Sequence, residues 1–409
     1  MARSHLTLAA LATAAVPGLD VARARKHSRR AHGMFDSALI VGRDGRELII
    51  RVPRDQTAET EQSADLVALR ALTVGNRSRL PFDVPQYVGQ APVEGTRGVV
   101  YELLNGDAFD ADALTGHAGV SGSIGRAIAA IHGLPTAFVA DAGLPQQSAA
   151  ECRDAAILVI DRAANTGHLP AALVRRWEQA TDDDGLWQFQ PCVIHGSLSD
   201  ESFLVTDDAV SGVLGWSSLA VGDPARDLHW LLSARGEAAE TALASYSAAR
   251  QGGDPRIAQR ATLYGELELA RWLLHGTDTH NPSIIDDAVA MLDRLVDTVH
   301  NHTMHPLSPA TGPILEVSDV EAMLKATPRR GLPRDQGAAM QTDSYDLASF
   351  AGSEFADSDF PDTKLGEPKS GGSTESRSGN SDRTDTGTIP TSLFADDDGA
   401  GGGSRGRTA

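Results

Sequence analysis

The stretch "VIHGSLSDESFLV", Val193 to Val205, is where the chain declares its fold. Two β-branched residues lead into His195-Gly196, a polar run follows from Ser197 to Ser202, and the apolar residues resume at Phe203. That order reads as a strand, a tight polar loop and a second strand. Two short phrases follow it. "GVLGW", Gly212 to Trp216, closes another apolar run, and "GDPARDL", Gly222 to Leu228, places Asp directly before Pro. Asp223 reads as a helix cap with Pro224 in the first turn. Trp216 and Leu228 read as core residues.

Upstream, "FDSALIVGRDGRELIIRVPR" carries two strand-like runs, Ala38 to Val41 and Glu47 to Val52, joined through Asp44-Gly45, a strong hairpin signal. "TAETEQSADLVALRALT" sets Leu66, Leu69 and Leu72 on one helical face. "VPQYVG" and "TRGVVYELLNG" read as two further strands. The first hundred residues therefore describe a small sheet with one helix packed on it. Ahead of them, Leu6 to Ala15 reads as a helix stopped near Pro17, and a signal-peptide reading of residues 1–20 stays open. The basic run "ARARKHSRRAH", Ala22 to His32, reads as the solvated end of that helix, with a phosphate-facing segment as the alternative.

Between the sheet and the quoted loop the chain is helical. "SIGRAIAAIHGLP" spaces Ile124, Ile128 and Ile131 along one face and stops at Gly133 and Pro135. "AAECRDAAILVIDRAANTG" and "PAALVRRWEQATDDD" follow, the second with Pro170 in a first-turn position. After "GDPARDL" come helices around Ala238 to Arg250, Ile257 to His275 and Ile284 to His300. Beyond Pro306 the text turns polar and rich in Gly and Ser, and residues 331 onward read as disordered.

The chain of 409 residues carries a net charge of −19. Residues 331–409 hold 14 Asp and Glu against 7 Lys and Arg. Both parts are acidic, which argues against a nonspecific nucleic-acid binder, because phosphate contacts need clustered cations. Cys152 and Cys192 stand apart, outside any metal spacing, and read as ordinary buried thiols in a reducing, cytoplasmic setting. No segment reads as a membrane span.

A small sheet with one helix, a connecting strand and a helical lobe carrying a His-Gly loop resembles the protein-kinase-like layout. The specific resemblance is to the aminoglycoside and macrolide phosphotransferase family. Its loop reads His-Gly-Asp-Leu-x-x-x-Asn, then comes a strand ending in Asp-Trp or Asp-Phe, then Gly-Asp-Pro-x-x-Asp-Leu. Here the text is "HGSLSDES", "GVLGW" and "GDPARDL", and the resemblance covers about Leu6 to His300. It implies an α+β, two-lobed fold: an N-terminal lobe over 1–104, a helical C-terminal lobe over 105–305, and a tail over 306–409.

By that resemblance the catalytic Asp falls at Ser197, the metal-binding Asn at Ser202 and the second metal ligand at Gly215. All three chemical residues are missing. A hydroxyl at Ser197 has no useful basicity at neutral pH, and losing a general base costs on the order of 10²–10⁴ in rate. Without an Asp and an Asn the two Mg²⁺ ions of phosphoryl transfer lose their protein ligands. His195 and Asp227 match loop-supporting residues. Arg51 falls where the family places its phosphate-contacting cation, and Asp65 near the helix carboxylate that pairs with it. Tyr101, Glu102 and Leu103 fall on the connecting strand, where an adenine would meet backbone groups.

Three readings follow. The first is a catalytically impaired pseudokinase that binds or scaffolds, with 331–409 as an arm for a protein partner; it requires no cofactor. The second is an active small-molecule phosphotransferase with Asp200, Glu201 or Asp208 rebuilding a metal site; it requires ATP and Mg²⁺. The third is a nucleotide sensor without chemistry. Asp200, Glu201, Asp207 and Asp208 otherwise read as solvated turns.

Overall fold

The structure, a computed structural model, describes residues 3–27, 33–109, 118–233, 237–250, 253–300 and 307. The tail expected to form an interaction arm lies outside the described residues.

The chain opens with helix α1, His5–Ala15, capped by the Ser4 hydroxyl on the Thr7 N–H. The basic run that follows does not continue this helix, contrary to the sequence expectation. Val16 caps its end, Gly18 takes a left-handed φ of 78°, and Val21–Lys26 is strand β1. β1 pairs antiparallel with β2, Phe35–Gly42, which turns through Asp44-Gly45 into β3, Glu47–Pro53. Helix α2, Gln56–Ala71, and the short α3, Val74–Arg77, come next, then β4, Tyr87–Val93, and β5, Thr96–Glu102. The five strands form one antiparallel sheet in the order β1-β2-β3-β5-β4.

Strand periodicity gives this sheet two faces. Ala38, Ile40, Leu48, Ile50 and Val100 bury one face beneath Leu8, Ala12 and Ala15 of α1. Val99 and Tyr101 on the other face join Leu66 and Leu69 of α2 in the core that runs on into the helical lobe.

That lobe begins after β6, Asp107–Ala108, with α4, Ala118–His132, α5, Ala137–Asp141, α6, Ala149–Asn165, and α7, Ala171–Asp182. Ser148 and Glu151 close a capping box at the start of α6. The quoted loop then runs from β7, Cys192–Ile194, into β8, Phe203–Thr206. β8 forms a hairpin with β9, Ala209–Val213, and β10, Ala220–Gly222, returns to pair with β7. Pro224–Asp227 is a single tight turn rather than the helix expected there; Asp223 caps it through the Ala225 N–H. Helices α8, His229–Ser233, α9, Glu237–Arg250, α10, Ile257–Asp278, and α11, Pro282–His300, complete the described chain. Helix α4 packs closely on α9 through Gly125, where a Cβ would collide with the Ala242 carbonyl. Among the described residues no helix is long and apolar enough to cross a membrane.

One buried ion cluster fixes the turn at Asp223. Arg260 of α10 donates from Nε to Asp223 Oδ2 at 2.7 Å and from Nη2 to Asp223 Oδ1 at 3.1 Å. It also bonds the Leu186 carbonyl and Asp254, and lies over the Phe189 ring. Both Arg260 and Asp223 are fully buried. Removing one partner strands the other charge in the core, so Arg260→Met is expected to cost about 3–5 kcal/mol. Urea unfolding of the full chain checks this.

Candidate functional site

The site loop hangs from Asp227. Its Oδ2 accepts from the His195 N–H and its Oδ1 from the Gly196 N–H, each at 2.7 Å. The same Oδ2 lies 3.1 Å from His132 Nε2, whose Nδ1 lies 3.0 Å from the Tyr246 hydroxyl. Burial by itself would raise the Asp227 carboxyl. The hydrogen bond and charge of His132, the charge of His195 and the Gly196 N–H overcome it and hold the carboxyl below its ordinary 3.8. Gly196 takes a left-handed φ of 85° against the Ser218 carbonyl, which leaves no room for a side chain.

His195 is fully buried beside Trp216, with ring centroids 4.8 Å apart. Its Nε2–H donates to the Leu214 carbonyl at 3.0 Å, and its Nδ1 has no hydrogen-bond partner. Burial holds this imidazole below its ordinary 6.5, against the pull of Asp227. His195 and Asp227, expected as loop-supporting residues, make these contacts to the loop and its surroundings.

The three chemical positions offer little to a phosphoryl group. Ser197 is half-buried and makes no side-chain hydrogen bond among the described residues. Ser202 is occupied: its Oγ accepts from the Ser199 N–H at 3.1 Å and lies 3.5 Å from the Ser199 hydroxyl. Gly215 is exposed in a left-handed conformation, φ 80° and ψ 51°, with open space where a side chain would begin.

The neighbouring carboxylates stand in turns. Asp200 Oδ1 accepts from the Glu201 N–H within the Asp200–Ser202 turn. Asp207 and Asp208 form the two-residue turn between β8 and β9, both left-handed, with φ 50° and 60°. Among the described residues no three His, Cys, Asp or Glu side chains converge as a metal site would require. Magnesium prefers hard, anionic oxygen ligands. A tied hydroxyl at Ser202 and a bare Cα at Gly215 do not fit that ion.

On the nucleotide side, Arg51 lies over the Phe35 ring, 3.9 Å from its centroid. The expected Arg51–Asp65 pair is absent as a direct ion contact among the described residues. Asp65 instead accepts from the Trp216 N–H at 2.9 Å through Oδ1, and from the Tyr101 hydroxyl at 3.4 Å through Oδ2. Burial raises the Asp65 carboxyl, and the Arg51 charge and those two bonds offset only part of the rise. Sequence reading missed Glu61, one turn before Asp65. Burial raises it too, Arg51 pulls it back, and its Oε2 has no partner. Helical spacing of four residues was the signal that could have found it. On the connecting strand, the Glu102 and Leu103 N–H groups are already used, by the Gln86 and Glu47 carbonyls at 3.0 Å each.

The model of the phosphotransferase enzyme family matches residues 28–261. The chain belongs to that family. Among relatives, it is 22% identical over 200 residues to the uncharacterized protein YcbJ of Bacillus subtilis (strain 168). That match takes in 47% of this chain and 65% of YcbJ, just under two thirds of the relative's length. Among solved structures, the macrolide 2′-phosphotransferase MphH from Brachybacterium faecium, as apoenzyme, superposes with a TM-score of 0.60 at 24% identity. It covers 71% of this chain and 98% of that one. The GDP complex of aminoglycoside 2′-phosphotransferase-IIIa gives 0.61 at 18% identity, covering 73% and 100%. At these identities the two structures speak for the fold, which is two-lobed and kinase-like.

The His195 environment carries a pH signature. The unfolded chain protonates this ring near 6.5, while in the folded protein burial delays its protonation to lower pH. Stability is therefore full above about pH 6.5 and declines as pH falls below it. His195→Gln keeps a donor for the Leu214 carbonyl and removes the titration. The stability gap between wild type and this variant is expected to narrow between about pH 8 and pH 5.5, read by chemical denaturation.

Proposed function

We propose that this chain is a phosphotransferase-family protein that no longer transfers phosphate and acts by binding. The observation that carries this reading is Gly215: the position that should bring the main metal-holding charge is exposed, left-handed and without a side chain. Ser202, tied to Ser199, and Ser197, which cannot act as a base at neutral pH, support it. The buried scaffold of His195, Asp227 and Trp216 is intact, so the loop keeps its shape without its chemistry.

Aminoglycoside 2′-phosphotransferase-IIIa of the same fold forms a GDP complex. A nucleotide is thus the natural small molecule to test here. A cytoplasmic setting suits two buried, unpaired cysteines. The acidic residues 331–409 are the segment by which a protein partner would be met.

The test is turnover. The full-length protein, given ATP or GTP, excess Mg²⁺ and a panel of aminoglycoside and macrolide acceptors, is expected to transfer no phosphate above the protein-free control. Ser197→Asp alone is expected to stay inactive, because the metal ligands remain absent. Magnesium-dependent transfer by the wild type, lost on Asp200→Ala or Glu201→Ala, would replace this reading with that of an active enzyme.

A further inference from the structure

Lys26 closes β1 in a setting unlike that of Arg23 and Arg25. In an antiparallel ladder, directly paired residues project from the same face, and alternate residues of one strand share a face. Lys26 pairs with Ala38, and Asp36 pairs with Val52. Ala38 and Val52 belong to the apolar cluster beneath α1, so Lys26 and Asp36 lie on the outer face of the sheet. That face is opposite to the one bearing Tyr101 and Arg51. Arg54 follows Val52 by two residues, and the residues ahead of α1 bring Arg3 to the same end of the sheet.

These four residues line a cavity of about 150 Å³, completed by the start of α1 and of β2. Asp36 is buried and organises the two arginines. Its Oδ2 accepts from the Arg3 N–H at 3.0 Å and from Arg3 Nη1 at 3.4 Å, and its Oδ1 accepts from Arg54 Nε at 2.8 Å. Burial pushes this carboxyl up, but the bonds from Arg3 and Arg54 and the Arg54 charge hold it below its ordinary 3.8. Asp36 is therefore ionised at neutral pH and fixes both guanidinium groups. Glu94, from outside the lining, takes Arg3 Nη2 at 2.8 Å, and Asp55, next to Arg54, is spent on capping α2. Three cations thus face two carboxylates, Asp36 and Glu94, a net of 3 − 2 = +1 in a chain of −19. The unspent donors are the Lys26 ammonium and Nη1 and Nη2 of Arg54, none of which has a partner among the described residues.

Size and donor type select the ligand. Pockets that take drug-sized molecules enclose roughly 300–1,000 Å³, so this one suits a small ion and not a nucleotide. A guanidinium fork and a compact ammonium together match the oxygens of a phosphate-like group. We propose that Arg54 and Lys26, with Arg3 as a fixed wall, bind a single tetrahedral oxyanion on the outer face of the N-terminal sheet: phosphate or sulfate, free or as the head of a monoester. The anion ties the start of α1 to the ends of β1 and β3, so its binding stabilises the packing of α1 on the sheet. The site lies across the sheet from Arg51 and is independent of whether the His195 loop transfers phosphate.

The experiment is calorimetric titration and thermal melting of the full-length protein with inorganic phosphate, sulfate, phosphoserine and acetate, all at one ionic strength. Phosphate and sulfate are expected to bind and to raise the melting temperature, and acetate is not. Phosphoserine binding on a par with phosphate identifies a monoester head as the ligand; its exclusion identifies the free ion. Lys26→Ala should weaken phosphate by on the order of tenfold. It should leave the melting temperature of the free protein unchanged, since Lys26 has no partner to lose. Arg54→Lys should also weaken phosphate, because it keeps the charge and loses the fork. Arg25→Ala removes a neighbouring cation from the other face and should bind phosphate as the wild type does. Three results would each overturn the proposal: no effect of phosphate beyond that of acetate, full affinity in Lys26→Ala, or a loss in Arg25→Ala as large as in Lys26→Ala.

Discussion

The Asp227 carboxylate is the constraint on which the site loop depends. One side chain accepts two consecutive backbone N–H groups, at His195 and Gly196, and faces a histidine from α4. Each charge-assisted bond of this kind contributes about 1.5–3 kcal/mol. The geometry also fixes a direction. With both N–H groups held, the chain must turn at Gly196, whose φ of 85° and contact with Ser218 admit no other residue without strain. His195 is thereby driven inward against Trp216, and Ser197 is left at the surface of the loop. His132 and Tyr246 extend the clamp to α4 and α9, so the loop is anchored to the helical lobe rather than to its own neighbours.

A second tie joins the lobes. Asp65 of α2 reaches across to the Trp216 N–H and is nearly fully buried in doing so. In the family pattern a carboxylate on this helix is expected to answer the cation on β3. Here it answers a backbone N–H beside Gly215. Arg51 stacks on Phe35, and its charge is felt by both Glu61 and Asp65 of α2. The Asp65 bond to the Trp216 N–H accounts for the absent Arg51–Asp65 contact.

Much of this was legible in the chain. The hairpin at Asp44-Gly45, the leucine face of α2 and the isoleucine face of α4 are local signals, and local signals survive folding. The site loop was readable because its shape residues, His195, Gly196 and Asp227, are set by backbone geometry. The basic run was misread because charge hides alternation. Val21 and Ala24 pack against the α1 face, while Arg23 and Arg25 project from the other, so only the pairing with β2 reveals a strand. The partners of Asp65 could not be read, since Trp216 lies 151 residues away. Nor could the self-capping of Ser199 and Ser202, which depends on a one-turn conformation that no periodicity announces.

Burial separates the residues that hold the loop from the positions where the family's chemistry is expected. His195, Trp216 and Asp227 are fully buried, and replacing any of them would leave a cavity or an unpaired polar group. Their presence follows from stability alone and says nothing for catalysis. Gly215 is exposed and Ser197 half-buried, so stability places little demand on either side chain. Ser202 is the instructive middle case: it is buried, so its hydroxyl had to find a partner, and it found one in the Ser199 backbone rather than in a ligand. The positions that fold the loop and the positions that would run the reaction obey different physical demands.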